Sequence, residues 1–226
     1  MNKTRFTRQT VSPRVALPRA RSHYAWGVVR ALLDRVLYRH PFEGTSARRY
    51  AADERPAFGD LDDRLLDGLD LAGVHRLLDL GSGPGTFGAR AAARGLAVVS
   101  IDPGRDWTPT VRAAGEALPL ADRSIDLAIC LSSIRHVRDR AATLRELRRV
   151  ASRLVIVELD PLASPARIAA HADHLGSALL RRAFGPLVVR TAPTAAAILA
   201  LARTAGWKLR AQRDDATQPV YIVELA

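Results

Sequence analysis

Short apolar runs alternate with longer segments of helical spacing along the middle of the chain. The apolar runs lie at 74–80, 96–101, 125–131 and 153–159, and helix-length segments such as 86–94 and 138–150 separate them. Apolar runs of this length are typical of strands that are buried on both faces. The alternation predicts an α/β fold with a doubly wound, mostly parallel sheet.

Helical and strand patterns continue on both sides of this core. One helical face, with acidic residues in its first turn, carries Leu61, Leu65, Leu66 and Leu69. Alanine and leucine dominate two later segments, which we expect to be helices at 164–183 and 194–205. WKLRAQRD and PVYIVELA, joined by the turn-forming DDATQ, predict two antiparallel strands that close one edge of the sheet.

The N-terminal region has a different composition. Residues 1–22 contain no acidic residue and no hydrophobic period, which predicts a disordered basic arm. From His23 to Arg39 the apolar residues follow helical spacing and include Trp26, which predicts an amphipathic helix ending at His40-Pro41. We expect this helix to pack on the main domain or to cover it.

Length and composition indicate one globular domain. The chain has 226 residues, of which 48% are hydrophobic, enough for a sizeable core. It has no uncharged apolar run of roughly 18 residues and no N-terminal secretory segment, so we expect a soluble, cytoplasmic protein. We expect one domain over 23–226, made of N-terminal helices or a lid (23–70), a core (71–160), and a helical insert with closing strands (161–226).

The single cysteine and the positive charge limit the possible ligands. Cys130 lies inside the apolar run DLAICL, so no disulfide and no cysteine-based zinc site can form, and we predict no metal. The net charge of +11 can attract nucleic-acid phosphates. Nearly all of this charge is arginine spread along the chain, as GC-rich coding bias also produces. A nucleic-acid partner therefore stays the less favoured alternative to a small-molecule substrate, and the oligomeric state is left open.

A glycine-rich segment follows the first apolar run directly. Gly81, Gly83 and Gly85 come after the strand predicted at 74–80 and before a helix, a context in which the backbone can turn tightly and approach a ligand. About twenty residues later, VVSI ends in Asp102, where a carboxylate can accept hydrogen bonds from both ribose hydroxyls. Together these features predict a nucleotide-cofactor site.

Asp79 distinguishes between two cofactor classes. GPGTFG also matches the dinucleotide fingerprint G-x-G-x-x-G. A carboxylate beside the glycine loop repels a pyrophosphate but attracts a cationic ammonium, such as the methionyl end of S-adenosylmethionine. Lys3 and Lys208 are the only lysines, which excludes a G-x-x-x-x-G-K phosphate loop and a Tyr-x-x-x-Lys pair. The residues therefore favour S-adenosylmethionine.

With these motifs, residues 42–160 resemble the class I S-adenosylmethionine-dependent methyltransferases, in particular the small-molecule branch called type 11. LLDLGSGPGTF resembles the first motif of the family and VVSIDPG the second. GEALPLADRSIDLAICLSSIRHV resembles the third and fourth motifs, and LRELRRVASRLVIVELDP the closing helix and strand. The resemblance implies a seven-stranded, Rossmann-like methyltransferase sheet.

The resemblance also implies roles for individual residues. The methionyl part would be held by Asp79, Gly81, Ser82, Gly83 and Gly85, and the ribose by Asp102 with Pro103 beside it. The adenine would be bordered by Gly115, Glu116 and Ala117, and the cofactor further lined by Leu131 and Tyr50. Two positions depart from the family pattern: Ala114 stands where an acid is common, and Ser82 where cysteine or glycine is frequent.

The chemistry of such a site requires alignment more than a dedicated base. Methyl transfer from a sulfonium is intrinsically downhill, so aligning donor and acceptor and excluding water are the main tasks. His136 lies in the motif SSIRHV, just past the strand predicted at 125–131, and is the candidate base for a hydroxyl or amine acceptor. The alternative is that His136 only opens the next helix and packs against the cofactor loop.

We therefore predict an S-adenosylmethionine-dependent methyltransferase acting on a small molecule, with oxygen as the acceptor, in secondary or specialised metabolism. Two alternatives stay open. RNA methylation is supported by the arginine-rich arm, although the segment after the fourth strand reads CLSSIRH and lacks the Asn/Asp-Pro-Pro-aromatic element that amino-group base methylators resemble. A non-catalytic, cofactor-binding scaffold or regulator is consistent with Ala114 and with the absence of an unambiguous base.

Overall fold

The structure is a computed structural model that describes residues 44–189 and 192–226. These residues form a single six-stranded sheet with the strand order β2-β1-β3-β4-β6-β5. The strands are β1 (Arg76–Leu80), β2 (Ala97–Ile101), β3 (Ile125–Leu131), β4 (Ala151–Leu159), β5 (Leu209–Asp214) and β6 (Val220–Leu225).

The sheet is parallel through its first four strands and antiparallel at one edge. β1 pairs with β2 and β3, and β3 pairs with β4, all in parallel. β6 runs antiparallel to both β4 and β5. The predicted core strands and the closing antiparallel pair are thus confirmed, and the carboxyl ends of β1 to β4 lie at one edge of the sheet.

Helices and short helical turns connect the strands. α1 (Thr45–Arg49) continues into a π-helical turn at Tyr50–Glu54 and a 3₁₀ turn at Pro56–Phe58. The remaining helices are α2 (Leu61–Gly68), α3 (Thr86–Ala93), α4 (Arg140–Val150), α5 (Pro165–Asp173), α6 (Ala178–Ala183) and α7 (Ala195–Thr204). The single helix predicted at 164–183 is divided, because Ser177 caps a new helix through its side chain.

Two apolar layers cover the two faces of the sheet, as alternation along β4 shows. Val155 and Val157 pack in one layer with residues of α2, α3 and α5, whereas Leu154 and Ile156 pack in the other with residues of α4 and α7. Because successive strand residues point to opposite faces, a doubly covered strand reads as one continuous apolar run. This explains why β1, β3 and β4 were recognisable from the sequence.

The prediction of seven strands is not confirmed, since the described residues form six. On the outer edge of β2, the only strand-like pairing among the described residues is a single parallel bridge between Ile101 and Val111. Pro103 and Pro109 lack the N–H that a ladder requires, so this segment cannot continue as a strand. Residues 102–110 form an irregular loop instead, in which Trp107 is buried.

Two predictions concern residues outside this description, the basic arm at 1–22 and the helix from His23 to Arg39. Within the described residues, every helix is too short or too polar to cross a membrane.

Candidate cofactor-binding site

The predicted cofactor residues meet at the carboxyl edge of the parallel strands. The glycine loop (residues 81–85) follows β1, Asp102 follows β2, and a tight turn (residues 132–136) follows β3. In open α/β sheets, ligands bind in the crevice at this edge. The fold therefore places the three loops around one cleft.

The glycine loop combines close packing with open space. Gly81 has a φ of +74°, and a Cβ there would overlap the Cβ of Ser133, whose hydroxyl donates a 2.6 Å hydrogen bond to the carbonyl of Leu80. Gly85 has a φ of +79° and no neighbour within 4 Å of an added Cβ. Gly81 thus lets β1 pack against the turn after β3, and Gly85 starts α3 beside free space.

Asp79 supplies an unsatisfied acceptor beneath this loop. Its carboxyl is buried, and its Oδ2 has no hydrogen-bond partner in the part of the chain that the structure describes. Burial, with a further contribution from the charge of Asp62, raises the pKa of Asp79 to about 7, although Arg55 and a hydrogen bond from Gly88 oppose the shift. A buried carboxyl with one oxygen that lacks a hydrogen-bond partner fits a cationic ammonium group.

Asp102 joins two loops through its carboxylate. Oδ2 accepts a 2.9 Å hydrogen bond from the backbone N–H of Gly83, and Oδ1 accepts one of 2.7 Å from Gly104. Each carboxylate oxygen can accept a further hydrogen bond, so this arrangement fits ribose hydroxyls. Pro103 is exposed beside it.

The loop at Gly115–Ala117 lies against β1 and the start of α4. A Cβ on Gly115 would crowd Thr143 and Leu80. Glu116 Oε1 accepts hydrogen bonds of 2.7 and 2.9 Å from the N–H groups of Arg138 and Asp139. The Glu116 carboxylate therefore ties this loop to the N-terminal end of α4, and any adenine contact would be made by the rest of the loop or by its second oxygen.

The segment at residues 44–58 lies against the loops that follow β1 and β2. A ring carbon of Tyr50 lies 3.8 Å from where a Cβ on Gly83 would be, and burial raises the pKa of Tyr50 to about 12. The N–H of Gly44 donates a 2.6 Å hydrogen bond to Asp106 in the loop after β2. This segment thus contacts two of the loops that carry predicted cofactor residues.

A buried ion pair that the sequence did not reveal anchors the same segment. Arg55 pairs with Asp62 of α2, and the two side chains are only 11% and 3% exposed. Breaking such a pair leaves an uncompensated buried charge, so the pair fixes the segment strongly to α2. Nothing in the local sequence distinguishes Asp62 from the other acids of DLDD, because the partner lies in the preceding polar stretch.

The turn after β3 carries His136 and is held from several sides. Ser132, with a φ of +51°, donates its N–H to Val157, and the N–H of His136 donates a 3.0 Å hydrogen bond to the carbonyl of Ser133. His136 is half-buried and precedes α4, which begins at Arg140 with Asp139 as its cap. His136 is therefore part of the turn and does not open the helix. Leu131, the last residue of β3, is half-buried.

Glu158 is a further residue that the sequence analysis did not single out. It is fully buried near the end of β4, and it accepts hydrogen bonds from the N–H groups of Leu159, at 2.8 Å, and Arg135, at 3.3 Å. Its side chain also lies 3.7 Å from the Arg135 guanidinium. The sequence does contain a signal for this residue, because Glu158 is an acid inside the apolar run VIVEL. A carboxylate that is buried in a strand requires hydrogen-bond or ionic partners.

Metal and thiol chemistry find no support in the described residues. These residues contain no cluster of three or more His, Cys, Asp or Glu side chains that could hold a metal ion. Cys130 is fully buried in β3, and burial raises the pKa of its thiol to about 12. The thiol is therefore unreactive at neutral pH.

The fold and site together define a doubly wound α/β domain with a cofactor site at the carboxyl edge of its sheet. Residues 78–154 match the family model described as a methyltransferase domain. An uncharacterized methyltransferase of Mycobacterium tuberculosis is 36% identical over 95 residues, which are 38% of this chain and 39% of the relative. The chain thus spans about two fifths of the length of the curated relatives it matches.

Solved structures share the fold at low sequence identity. A SAM-dependent methyltransferase from Aquifex aeolicus has a TM-score of 0.59 and 14% identity, covering 80% of this chain and 96% of that one. The [4+2]-cyclase SpnF has a TM-score of 0.53 and 19% identity, covering 87% and 74%. Residues 78–154 are therefore similar to a methyltransferase domain, and the chain shares the fold of SAM-dependent methyltransferases of known structure.

Proposed function

We propose that this protein transfers the methyl group of S-adenosylmethionine to a small-molecule acceptor, with oxygen as the accepting atom, in specialised metabolism. The observation that carries the proposal is the buried Asp79 carboxyl, which has an unsatisfied oxygen beneath a glycine loop that opens at Gly85. This site suits a cationic amino-acid end and disfavours a pyrophosphate.

Different residues around the cleft would hold different parts of S-adenosylmethionine. Asp79 and the glycine loop would hold the methionyl end, Asp102 the ribose, and the backbone at Gly115–Ala117 the adenine. The cofactor, when bound, supplies an electrophilic methyl group. What remains for the protein is to align the acceptor and to exclude water.

His136 and Tyr50 would act on the acceptor side. A hydroxyl acceptor loses its proton on methylation, and a half-buried imidazole at a fixed turn is suited to take that proton near neutral pH. Tyr50 would cover the glycine loop and keep water out. The described helices α5 and α6, which follow β4, would form one wall of the pocket for a small acceptor.

Cofactor binding by the Asp102→Ala variant tests the site. We expect its affinity for S-adenosylmethionine, measured by titration calorimetry, to fall by roughly 1–3 kcal/mol, because charged hydrogen bonds to the ribose are lost. Asp173→Ala, which removes an exposed carboxylate from α5, is the matched control and should bind normally. Unchanged affinity in a folded Asp102→Ala protein would refute the ribose role.

Methyl transfer is tested separately with the wild-type protein and S-adenosylmethionine labelled in its methyl group. We expect labelled product from a panel of hydroxylated small molecules or from a metabolite extract of the source cells. Label appearing only in RNA would instead support the RNA alternative.

A non-catalytic or differently catalytic role is the second candidate. The observation that favours it is the structural likeness to the [4+2]-cyclase SpnF, since the fold also hosts proteins named for other reactions. Tight cofactor binding without label transfer to any acceptor would support it.

A further inference from the structure

A basic cleft lies at the opposite edge of the sheet from the cofactor site. It has a volume of about 580 Å³ and is lined by Arg123, Arg148, Ala151 and Ser152. Arg123 precedes β3 and Ala151 begins β4, so the cleft is at the amino ends of these parallel strands. None of the residues assigned to cofactor or acceptor lines it.

Among the described residues, neither of the two arginines of this cleft, Arg123 and Arg148, forms an ion pair with a carboxylate. Their neighbour Arg149 does, with Asp122 and Glu146 at 2.8 Å each. The nearest acids are therefore already engaged by another side chain, and the cleft keeps two positive charges.

Arg148 is also held in place by an aromatic ring. Its guanidinium carbon lies 5.0 Å from the ring centroid of Trp207, which is buried and donates its indole N–H to the carbonyl of Leu144. A guanidinium stacked on a fixed ring loses less freedom when it binds an anion, and its remaining edge presents N–H donors.

Arg123 occupies a backbone conformation that favours glycine. Its φ is +53°, and its N–H donates a 2.9 Å hydrogen bond to the carbonyl of Arg149. Backbone in this region is unfavourable for a long side chain, and such strain often occurs at functional positions. The arginine side chain is thus present where glycine would fit the fold better.

We propose that this cleft binds a phosphate group of a small phosphorylated ligand. Two guanidinium groups and the Ser152 hydroxyl supply the donors that a tetrahedral dianion requires, and charge-assisted hydrogen bonds to arginine are strong. Phosphate binding at this cleft does not depend on methyl transfer, so we expect it even if the proposed function is wrong.

Titration of the whole 226-residue chain with inorganic phosphate and pyrophosphate at low ionic strength tests the site. We expect a Kd of about 1 mM or tighter, weakening steeply with salt. Arg123→Gly and Arg148→Gln should each weaken binding at least about fivefold, which corresponds to the loss of one charged contact. Arg182→Gln, which removes an exposed charge from α6, should bind as the wild type does.

Two further readouts separate binding from folding. Arg123→Gly should keep or raise the melting temperature while losing phosphate affinity, because glycine tolerates the positive φ. The indole N–H resonance of Trp207 should shift with phosphate in the wild type but not in Arg148→Gln. S-adenosylmethionine affinity should be unchanged in both variants, so failure here is distinct from failure of the proposed function.

Two outcomes would overturn the proposal. Equal weakening by Arg182→Gln would show attraction to the overall positive charge without a site. Binding of an RNA oligonucleotide in the absence of any response to phosphate or pyrophosphate would show that the arginines serve a nucleic-acid surface instead.

Discussion

Gly81 and Gly85 share a left-handed backbone but have different surroundings, and this difference predicts different costs of substitution. Gly81→Ala must displace Ser133 as well as strain the backbone, whereas Gly85→Ala meets open space. We expect unfolding free energy to fall by about 1 kcal/mol in Gly85→Ala and by about 3 kcal/mol or more in Gly81→Ala. Urea denaturation measures both.

A second substitution makes this prediction sharper. Ser133→Gly removes the Cβ that Gly81→Ala would strike, and so should recover part of the lost stability in the double variant. Equal destabilisation by the two alanine variants would contradict the packing argument.

Asp79 should make cofactor binding depend on pH. With its pKa near 7 in the free protein, the carboxyl must ionise before it can pair with the cationic cofactor, so affinity should rise from pH 6 to pH 8 and then level off. Asp79→Asn should bind more weakly, with much less change across this range. Calorimetry at several pH values, with Asp173→Asn as control, measures this, and a flat wild-type profile would contradict it.

The same pKa has the opposite effect on the stability of the free protein. A carboxyl whose pKa is raised on folding favours the folded state fully at a pH below its unfolded value near 4, and this contribution is lost as the pH rises through 7. Cofactor affinity and stability of the free protein therefore change in opposite directions with pH at this residue.

At the scale of elements, the Arg55–Asp62 pair couples α2 to the segment that carries Tyr50. Asp62→Asn leaves the Arg55 charge without its buried partner, so stability should fall by roughly 3 kcal/mol. Because Asp62 raises the pKa of Asp79 and Arg55 lowers it, the midpoint of the pH dependence of cofactor affinity should also move to lower pH. Asp67→Asn, an exposed change near the end of α2, is the control.

Elements were predictable where periodicity and burial agree. β1, β3 and β4 are buried on both faces, so continuous apolar runs marked them, and Gly81–Gly85 marked the loop between β1 and α3. The partners of buried charges could not be predicted, because no sequence pattern connects Glu158 to Arg135, 23 residues away, or Asp62 to Arg55, seven residues away. The missing seventh strand was predicted by resemblance, although Pro103 and Pro109 were visible in the sequence.

At the scale of the whole molecule, His171 joins three separate parts of the chain. Its ring stacks on Phe184 at 4.7 Å and meets Phe58 edge-on at 4.8 Å, while Nδ1 lies 2.6 Å from Gln218 Oε1. Gln218 Nε2 donates to the carbonyl of Phe58 at 3.2 Å, so its Oε1 accepts the proton of His171 Nδ1. The other ring nitrogen is buried and without a hydrogen-bond partner among the described residues.

This arrangement predicts a loss of stability in mild acid. Burial lowers the pKa of His171, so its contribution is present above the unfolded value of 6.5 and is lost as the pH falls below it. His171→Gln should be roughly 1–3 kcal/mol less stable than the wild type at pH 7.5, and the difference should shrink at pH 5. Exposed His174→Gln is the control, and a constant difference would contradict the prediction.

The double hydrogen bond at Asp102 has a consequence for how fast and how tightly a ligand is taken up. Because one carboxylate already joins Gly83 to Gly104 in the free protein, the two loops lose their freedom during folding and need not be ordered by the ligand. The entropy cost of ordering these loops is therefore incurred during folding and not on binding. Ligand association at this part of the cleft is then governed by encounter and desolvation, without a slow loop-folding step.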